Sequence, residues 1–230
     1  MYDIVFISYK EPNAEENYAK LASRFSAPTL KRVSGVEGIH QAHIAAAKKA
    51  MTKMFWVVDG DADVLDSFDF NYQVPANELD HVHVWRSQNP INGLVYGYGG
   101  VKLLPKKLTM NMELGNVDMT TSISKLFKPM PEIANITAFD TDEFSTWRSA
   151  FRECAKLASH TIERTNAEET QRRLDVWCTF ATGKFAEFAI KGALAGREYG
   201  HKNASNKEAL LKLNDFTWLQ DQWSLERSVQ

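Results

Sequence analysis

Two continuous apolar runs, with helical periodicity between them, organise the start of this chain. Ile4-Val5-Phe6-Ile7-Ser8-Tyr9 and Met54-Phe55-Trp56-Val57-Val58 show no polar alternation, the pattern of strands buried on both faces as in a parallel sheet. Between them Tyr18, Leu21, Ala22 and Phe25 recur at helical spacing behind Asn13 and Glu16, which resemble a capping box. Thr29 to Val33 reads as a short second strand. From Gly38 to Met51 a second helix carries an alanine stripe (Ala42, Ala46, Ala50) suited to close packing. This β-α-β-α-β order predicts an α/β fold with a right-handed, doubly wound, mainly parallel sheet.

Further along, His81-Val82-His83-Val84-Trp85 alternates, predicting a strand with Val82 and Val84 inward and half-exposed histidines on its other face. His40 and His43, one helical turn apart, read as surface or nucleotide-adjacent residues. Asn92-Gly93 signals a hairpin. Tyr96-Gly97-Tyr98-Gly99-Gly100 offers aromatic faces and closely approachable backbone, and Ile136 to Phe139 a strand. Asp140-Thr141-Asp142-Glu143 then opens a long helix to about Thr165, its acidic first turn matching the helix dipole. From Ala167 onward the pattern is helical, with stripes at Leu174, Trp177, Cys178 and at Phe185, Phe188, Ala189. Gly192, Ala195 and Gly196 mark close contacts, Gly200 a helix stop, and Trp218, Leu219 and Trp223 a final amphipathic helix. The expected organisation is one domain, with a binding half over residues 1–105 and the remainder over 106–230.

The chemistry concentrates at the end of the third strand, in Asp59-Gly60-Asp61-Ala62-Asp63. Open α/β sheets place ligands at the carboxyl ends of their strands. Three carboxylates this close repel one another, and a divalent cation on oxygen ligands is the usual compensation. An EF-hand loop starting at Asp59 is excluded, because Val64 and Phe70 stand where Gly and Glu are required. A haloacid-dehalogenase-type phosphatase also ends a strand in Asp-x-Asp. There the motif follows the first strand and a Thr or Val comes two residues later, the position of Asp63 here.

Composition sets bounds. The 230 residues carry a net charge of −2, which disfavours a pure nucleic-acid-binding module. No 18-residue apolar run or signal-peptide pattern is present, so a soluble cytoplasmic protein with no membrane partner is expected. Cys154 and Cys178 read as buried free thiols.

Strand, Ser-Tyr loop, helix, strand, helix and a third strand ending in Asp-x-Asp together resemble the nucleotide-binding half of GT-A-type glycosyltransferases. The resemblance implies a nucleotide-sugar donor, most simply a UDP-sugar, and Mn²⁺ or Mg²⁺. It places Asp59 near the ribose and Asp61 on the metal, with Gly60 between them, Asp63 a further ligand and His201 an additional C-terminal one. Ser8, Tyr9 and Glu11, with Arg32 or Val33, would face the base. The strings Val95-Tyr96-Gly97-Tyr98-Gly99-Gly100-Val101-Lys102, Trp147 to Leu157 and Leu213 to Leu219 are similar to small glycosyltransferases of tailed bacteriophages. Some of these add sugars to hydroxymethylated pyrimidines in phage DNA. By that likeness the acceptor is a hydroxymethylated or already glycosylated cytosine in double-stranded DNA, and the location the host cytoplasm.

Two basic groups would serve such an acceptor: Lys102, Lys106 and Lys107, and the helical set Arg148, Arg152 and Lys156 at four-residue spacing. Inverting transfer needs a base for the acceptor hydroxyl, and Asp142 and Glu153 are the candidates, with Arg148 beside them. A nucleotidyltransferase would use a similar carboxylate pair but lacks its Gly-rich, Lys-bearing loop here. A glycosyltransferase with a non-DNA acceptor and a non-catalytic nucleotide- or DNA-binding protein are the remaining alternatives.

Overall fold

The computed structural model describes residues 1–97, 99–161 and 166–228. Tyr98 in the glycine-rich segment and Thr165 at the expected end of the long helix lie outside the described residues. The chain forms two compact units, one of Met1–Pro90 with Val95–Ala138, the other of Ile91–Leu94 with Phe139–Gln230.

The first unit is built on eight strands: β1 Asp3–Ser8, β2 Leu30–Ser34, β3 Met54–Asp59, β4 Ala62–Val64, β5 Val82–Gln88, β6 Val95–Tyr96, β7 Val101–Pro105 and β8 Phe127–Thr137. Helices α1 Ala14–Arg24 and α2 Ile39–Lys49 separate the first three, and short helices α3 Lys106–Met110 and α4 Met119–Ile123 come later. The strand order is β2-β1-β3-β7-β5-β8-β4, with β6 on β5. β1 runs parallel to β2 and β3, as the βαβαβ pattern predicts. The sheet is α/β and mixed: β5 also runs parallel to β8, while β7 is antiparallel to both β3 and β5, and β4 to β8. The reason lies in the connections. No long helix follows β3, and antiparallel neighbours need none, whereas each parallel pair requires a crossover.

Alternation along β1 and β3 fills both faces. Ile4, Phe6, Trp56 and Val58 enter one apolar cluster, Val5, Ile7, Phe55 and Val57 the other. The alanine stripe of α2 is buried as expected, with Ala46 and Ala50 fully so, and this lets α2 lie close on the sheet. On the opposite face Trp56, Phe68, Phe70 and Trp85 form an edge-to-face nest, and the Trp56 indole N–H donates to the Phe70 carbonyl at 3.2 Å. The Asn92-Gly93 signal does accompany a β5–β6 antiparallel pair, with Gly93 at φ +70°.

Several local expectations change. Asn13 precedes α1 without capping it; its amide donates to the Ala138 carbonyl at 2.8 Å instead. Ala22 is exposed. His83 is fully buried, because β5 lies inside the sheet and is covered on both faces; its ring is 3.2 Å from Glu78 Oε2. His40 and His43 are also buried: the α2 face toward the sheet is wider than the alanine stripe.

The second unit contains α5 Glu143–Ala158, α6 Ala167–Thr179, α7 Ala186–Lys202, α8 Lys207–Leu211 and α9 Phe216–Ser228. α5 stops at Ala158, short of the predicted end, where His160 turns the chain at φ 54°. α5 and α7 meet at backbone distance. A Cβ at Gly192, Gly196 or Gly200 would collide with the carbonyl oxygen of Trp147, Phe151 or Ala155, respectively. Gly200 is thus a packing residue inside α7 rather than a helix stop. Aromatic side chains flank this crossing: Trp147 stacks on Phe151 at 4.8 Å, and Trp223 of α9 lies 5.5 Å from Trp147.

Candidate functional site

Asp59 ends β3, and Gly60-Asp61 turns the chain into β4. The turn is held from four sides. The Asp59 N–H donates to the Gly100 carbonyl at 2.9 Å, Asn17 of α1 donates to the Gly60 carbonyl at 2.9 Å, and the Ala138 N–H donates to the Asp61 carbonyl at 2.7 Å. On the fourth side lies the loop after β1. A Cβ at Gly60 would fall 2.7 Å from Glu11 Oε2 and 3.2 Å from Ser8 Cβ, so a side chain there would displace the Glu11 carboxylate from the turn. Glu11 is itself fixed by the Tyr9 N–H, 2.7 Å from its Oε2. Ser8, Tyr9, Glu11, Gly60 and Asp61 are therefore neighbours at the carboxyl ends of two adjacent parallel strands, where sheets of this type place their ligands.

The remaining base-facing candidates divide. Arg32 donates to Ser8 Oγ at 3.3 Å, clamps Glu15 with both terminal nitrogens, and lies 4.8 Å over the Tyr18 ring. It closes one side of the β1 end. Val33 does not face the site with its side chain, which is buried in an apolar cluster because β2 alternates Arg32 and Val33 across the sheet.

The three carboxylates part company. Both oxygens of Asp59 accept from Lys102 Nζ, at 2.7 and 2.8 Å, and the same ammonium donates to the Gly99 carbonyl. Lys102 is only 2% exposed, Asp59 32%. Asp63 points to α1, where Lys20 Nζ lies 2.6 Å from it. His201 is exposed on α7 in the second unit. Among the described residues no three His, Cys, Asp or Glu side chains gather as a metal-binding group. Two of the three aspartates, Asp59 and Asp63, have their charge met by lysines. A carboxylate oxygen such as that of Asp61 is the kind of donor that a hard cation takes.

Sequence reasoning missed Lys102, assigning it to an acceptor surface. Its signal was its neighbourhood: Val101, Leu103 and Leu104 show a strand buried on both faces, and a lysine there must find an anion. Lys106 is also committed, donating to the Ala50 carbonyl at 2.7 Å, while Lys107 is exposed. On α5, Arg152 donates to the Leu213 carbonyl at 2.7 Å and so ties down the chain before α9. Arg148 stacks over Phe144 and Phe216. The two basic sets do not form free faces.

Of the proposed bases, Asp142 caps α5: its carboxylate accepts from the Ser145 N–H and hydroxyl, both at 2.8 Å. Glu153 differs, with Oε1 buried and without a hydrogen-bond partner. On α2, within the field of Lys102, stands His43, whose Nδ1 donates to the Ile39 carbonyl at 2.7 Å and whose Nε2 is unpartnered. Burial, and secondarily the charge of Lys102, hold this imidazole well below its ordinary range, so it is neutral.

No protein-family model matches the chain, and no curated protein matches it by sequence. Among solved structures it is similar to HddC from Yersinia pseudotuberculosis at 14% identity and a TM-score of 0.38, over 58% of this chain and 92% of that one. A likeness of that degree carries no weight for the chemistry.

Proposed function

We propose that this chain is a GT-A-like glycosyltransferase that moves a sugar from a nucleoside diphosphate donor, most simply a UDP-sugar. The observation that supports this is the convergence of Asp59, Gly60 and Asp61 with the Ser8–Glu11 loop at the carboxyl ends of β3 and β1. The base would lie against Ser8 and Tyr9, the ribose hydroxyls would donate to Asp59, and Asp61 would hold Mn²⁺ or Mg²⁺. When bound, that ion supplies positive charge to a departing diphosphate. The chain's own share is positional: Asn17 and the Ala138 N–H fix the turn, and Glu11 closes its rim.

The acceptor, a hydroxymethylated or already glycosylated cytosine in double-stranded DNA, rests on the resemblance to phage enzymes. Its substituent lies in the major groove, reachable without strand separation. With Lys102, Lys106 and Arg152 engaged inside the protein, Lys107 is an exposed basic residue that phosphate contact could use. Isothermal titration with UDP, with and without Mn²⁺, tests the donor. Absence of UDP binding in both conditions overturns the assignment. Mass analysis of nucleosides from modified DNA after incubation with UDP-sugars tests the acceptor.

A further inference from the structure

The acidic turn at the carboxyl end of β3 has a basic counterpart at the strand's amino end. Between Gly38 and Val58, and again between His81 and Met112, the sequence holds no aspartate or glutamate. Apart from the inward-turned Lys102, the lysines of those stretches gather where β3 begins and β7 ends, at the pair Met54 and Pro105. Lys48 and Lys49 close α2, Lys53 precedes β3, and Lys106 and Lys107 open α3. Lys106 joins these pieces, its N–H donating to the Lys53 carbonyl at 2.9 Å and its ammonium to the Ala50 carbonyl at 2.7 Å. Lys48, Lys49, Lys53 and Lys107 are exposed, and Met51 stands 80% exposed among them.

Like charges this close repel, and local compensation accounts for only part of the group. Lys48 and Lys49 suit the negative end of the α2 dipole, and Lys49 also donates to the Arg32 carbonyl at 2.6 Å. Lys53 lies in a loop, and Lys107 stands at the start of a helix, where the dipole favours anions. Asp3, beside Phe55 at this edge, is already engaged by Lys31 at 2.7 Å and by the Met51 N–H. An external anion with repeating charges completes the balance. A helix is about 10 Å across and B-DNA carries one phosphate charge per about 1.7 Å of axis, so a patch of that width faces roughly six phosphates.

We propose that Lys48, Lys49, Lys53 and Lys107 form a docking face for the phosphate backbone of double-stranded DNA, separate from the site at the acidic turn. β3 runs six residues from Met54 to Asp59. At the usual rise the face therefore lies about 17 Å from the turn. It holds the polymer instead of presenting a base to the turn, keeping protein and DNA together between encounters. The contact is to phosphate, so it reads neither sequence nor base modification. The choice of DNA as the polyanion rests on the acceptor reading above, and the basic face does not.

The test measures binding of an unmodified DNA duplex by fluorescence anisotropy across a salt series. It compares the wild type, the combined variant Lys48→Gln, Lys53→Gln, Lys107→Gln, and a control with the same charge change, Lys184→Gln, Lys207→Gln, Lys212→Gln. Every substituted lysine is exposed, so both variants should fold, which thermal melts check. Loss of three phosphate contacts should flatten the slope of log K against log salt by about 2.7 units. Raising salt from about 50 to about 200 mM should then weaken the wild type about 40-fold more than the first variant, while the control keeps the wild-type slope. No DNA binding by the wild type at about 50 mM salt, or equal flattening in both variants, overturns the proposal. Unchanged DNA binding by the first variant overturns it too, and if that variant instead loses binding to phosphatidylserine vesicles, the face with Met51 serves an anionic membrane. Titration with UDP and Mn²⁺ keeps the two readings apart. A wild type that passes the DNA test but binds no UDP refutes the glycosyltransferase reading alone, whereas one that binds UDP but fails the DNA test refutes the docking face alone.

Discussion

Gly196 of α7 lies with its Cα against the carbonyl oxygen of Phe151 on α5, leaving no space for even a methyl group between the helices. The contact repeats one turn in either direction, at Gly192 with Trp147 and at Gly200 with Ala155. Each contact brings a Cα–H toward a carbonyl, a weak attraction that only glycine permits at this separation.

Gly196→Ala should therefore destabilise the protein by about 2–3 kcal/mol, toward the upper end for overpacking, since the obstacle is backbone and not a flexible side chain. Leu194→Ala, at a position 40% exposed on the same helix, should change stability by less than about 1 kcal/mol. Urea denaturation of both variants measures this. Equal effects at the two sites would show that the crossing is looser than described.

Asp61→Asn should leave folding stability nearly unchanged and weaken Mn²⁺-supported UDP binding by about tenfold to a hundredfold, the loss expected for one charge-assisted contact. The Asp61 contact that fixes the turn is made by its backbone carbonyl, which the substitution preserves. Calorimetric titration beside a thermal melt separates the two quantities. Undiminished affinity at limiting Mn²⁺ would remove Asp61 from the cation site.

The cysteines offer a contrast in reactivity. Cys154 on α5 and Cys178 on α6 are within hydrogen-bonding reach of one another. The Cys154 thiol donates to Cys178 and, with help from the charge of Arg197, lowers the latter to about 7, while burial pushes Cys154 well up. Iodoacetamide near neutral pH should modify Cys178 first, and Cys154 only after unfolding. In Cys154→Ala the reactive thiol should titrate closer to its ordinary value. Peptide mass mapping against time reads the order, and faster labelling of Cys154 would contradict it.

His43 should make the fold acid-sensitive in a defined window. Its titratable and charged neighbours are His40 on its own helix and Lys102 from β7, both disfavouring a second positive charge. Its folded pKa lies below the ordinary 6.5, so the unfolded chain takes up a proton as pH falls past that value and the folded chain does not. Stability is unaffected above this range and declines below it, by up to about 1.4 kcal/mol per pH unit. His43→Leu should flatten the decline between about pH 6.5 and 5, as measured by denaturation at several pH values. An identical slope in the variant would assign the acid sensitivity to other groups.

What was legible in the sequence was set by burial on two faces. Ile4 to Ile7 and Met54 to Val58 announced central strands because neither face of the sheet there meets solvent, and the helices between them dictated parallel pairing. The later strands join in both senses, β7 antiparallel to β3 and β8 parallel to β5, and no local pattern specifies which edge they join. Within the site, the Asp59–Asp61 turn and the Ser8–Glu11 loop followed from strand ends. The partners of the carboxylates did not, because Lys102 lies 43 positions from Asp59 and Lys20 likewise 43 from Asp63, distances over which only the folded sheet decides. Gly200 is a different case, lying inside α7 instead of ending it. The four-residue spacing of Gly192, Gly196 and Gly200 already described a helix interior, and it outweighs the habit of glycine to end helices.

The Lys102 ammonium joins two strands that share no sequence proximity, and this leaves an evolutionary fingerprint. In the β3–β7 register Val57 faces Lys102 and Val58 faces Val101, with Gly99 and Gly100 at the rim. Substituting the aspartate alone would strand a buried cation, and substituting the lysine alone would leave an unbalanced anion. Relatives should thus keep or lose Asp59 and Lys102 together, so that Val-Val-Asp-Gly-Asp and Gly-Gly-Val-Lys behave as a single split motif. Diverged sequences carrying both halves would be recognisable as kin even where the helices between and beyond them have drifted past ordinary alignment.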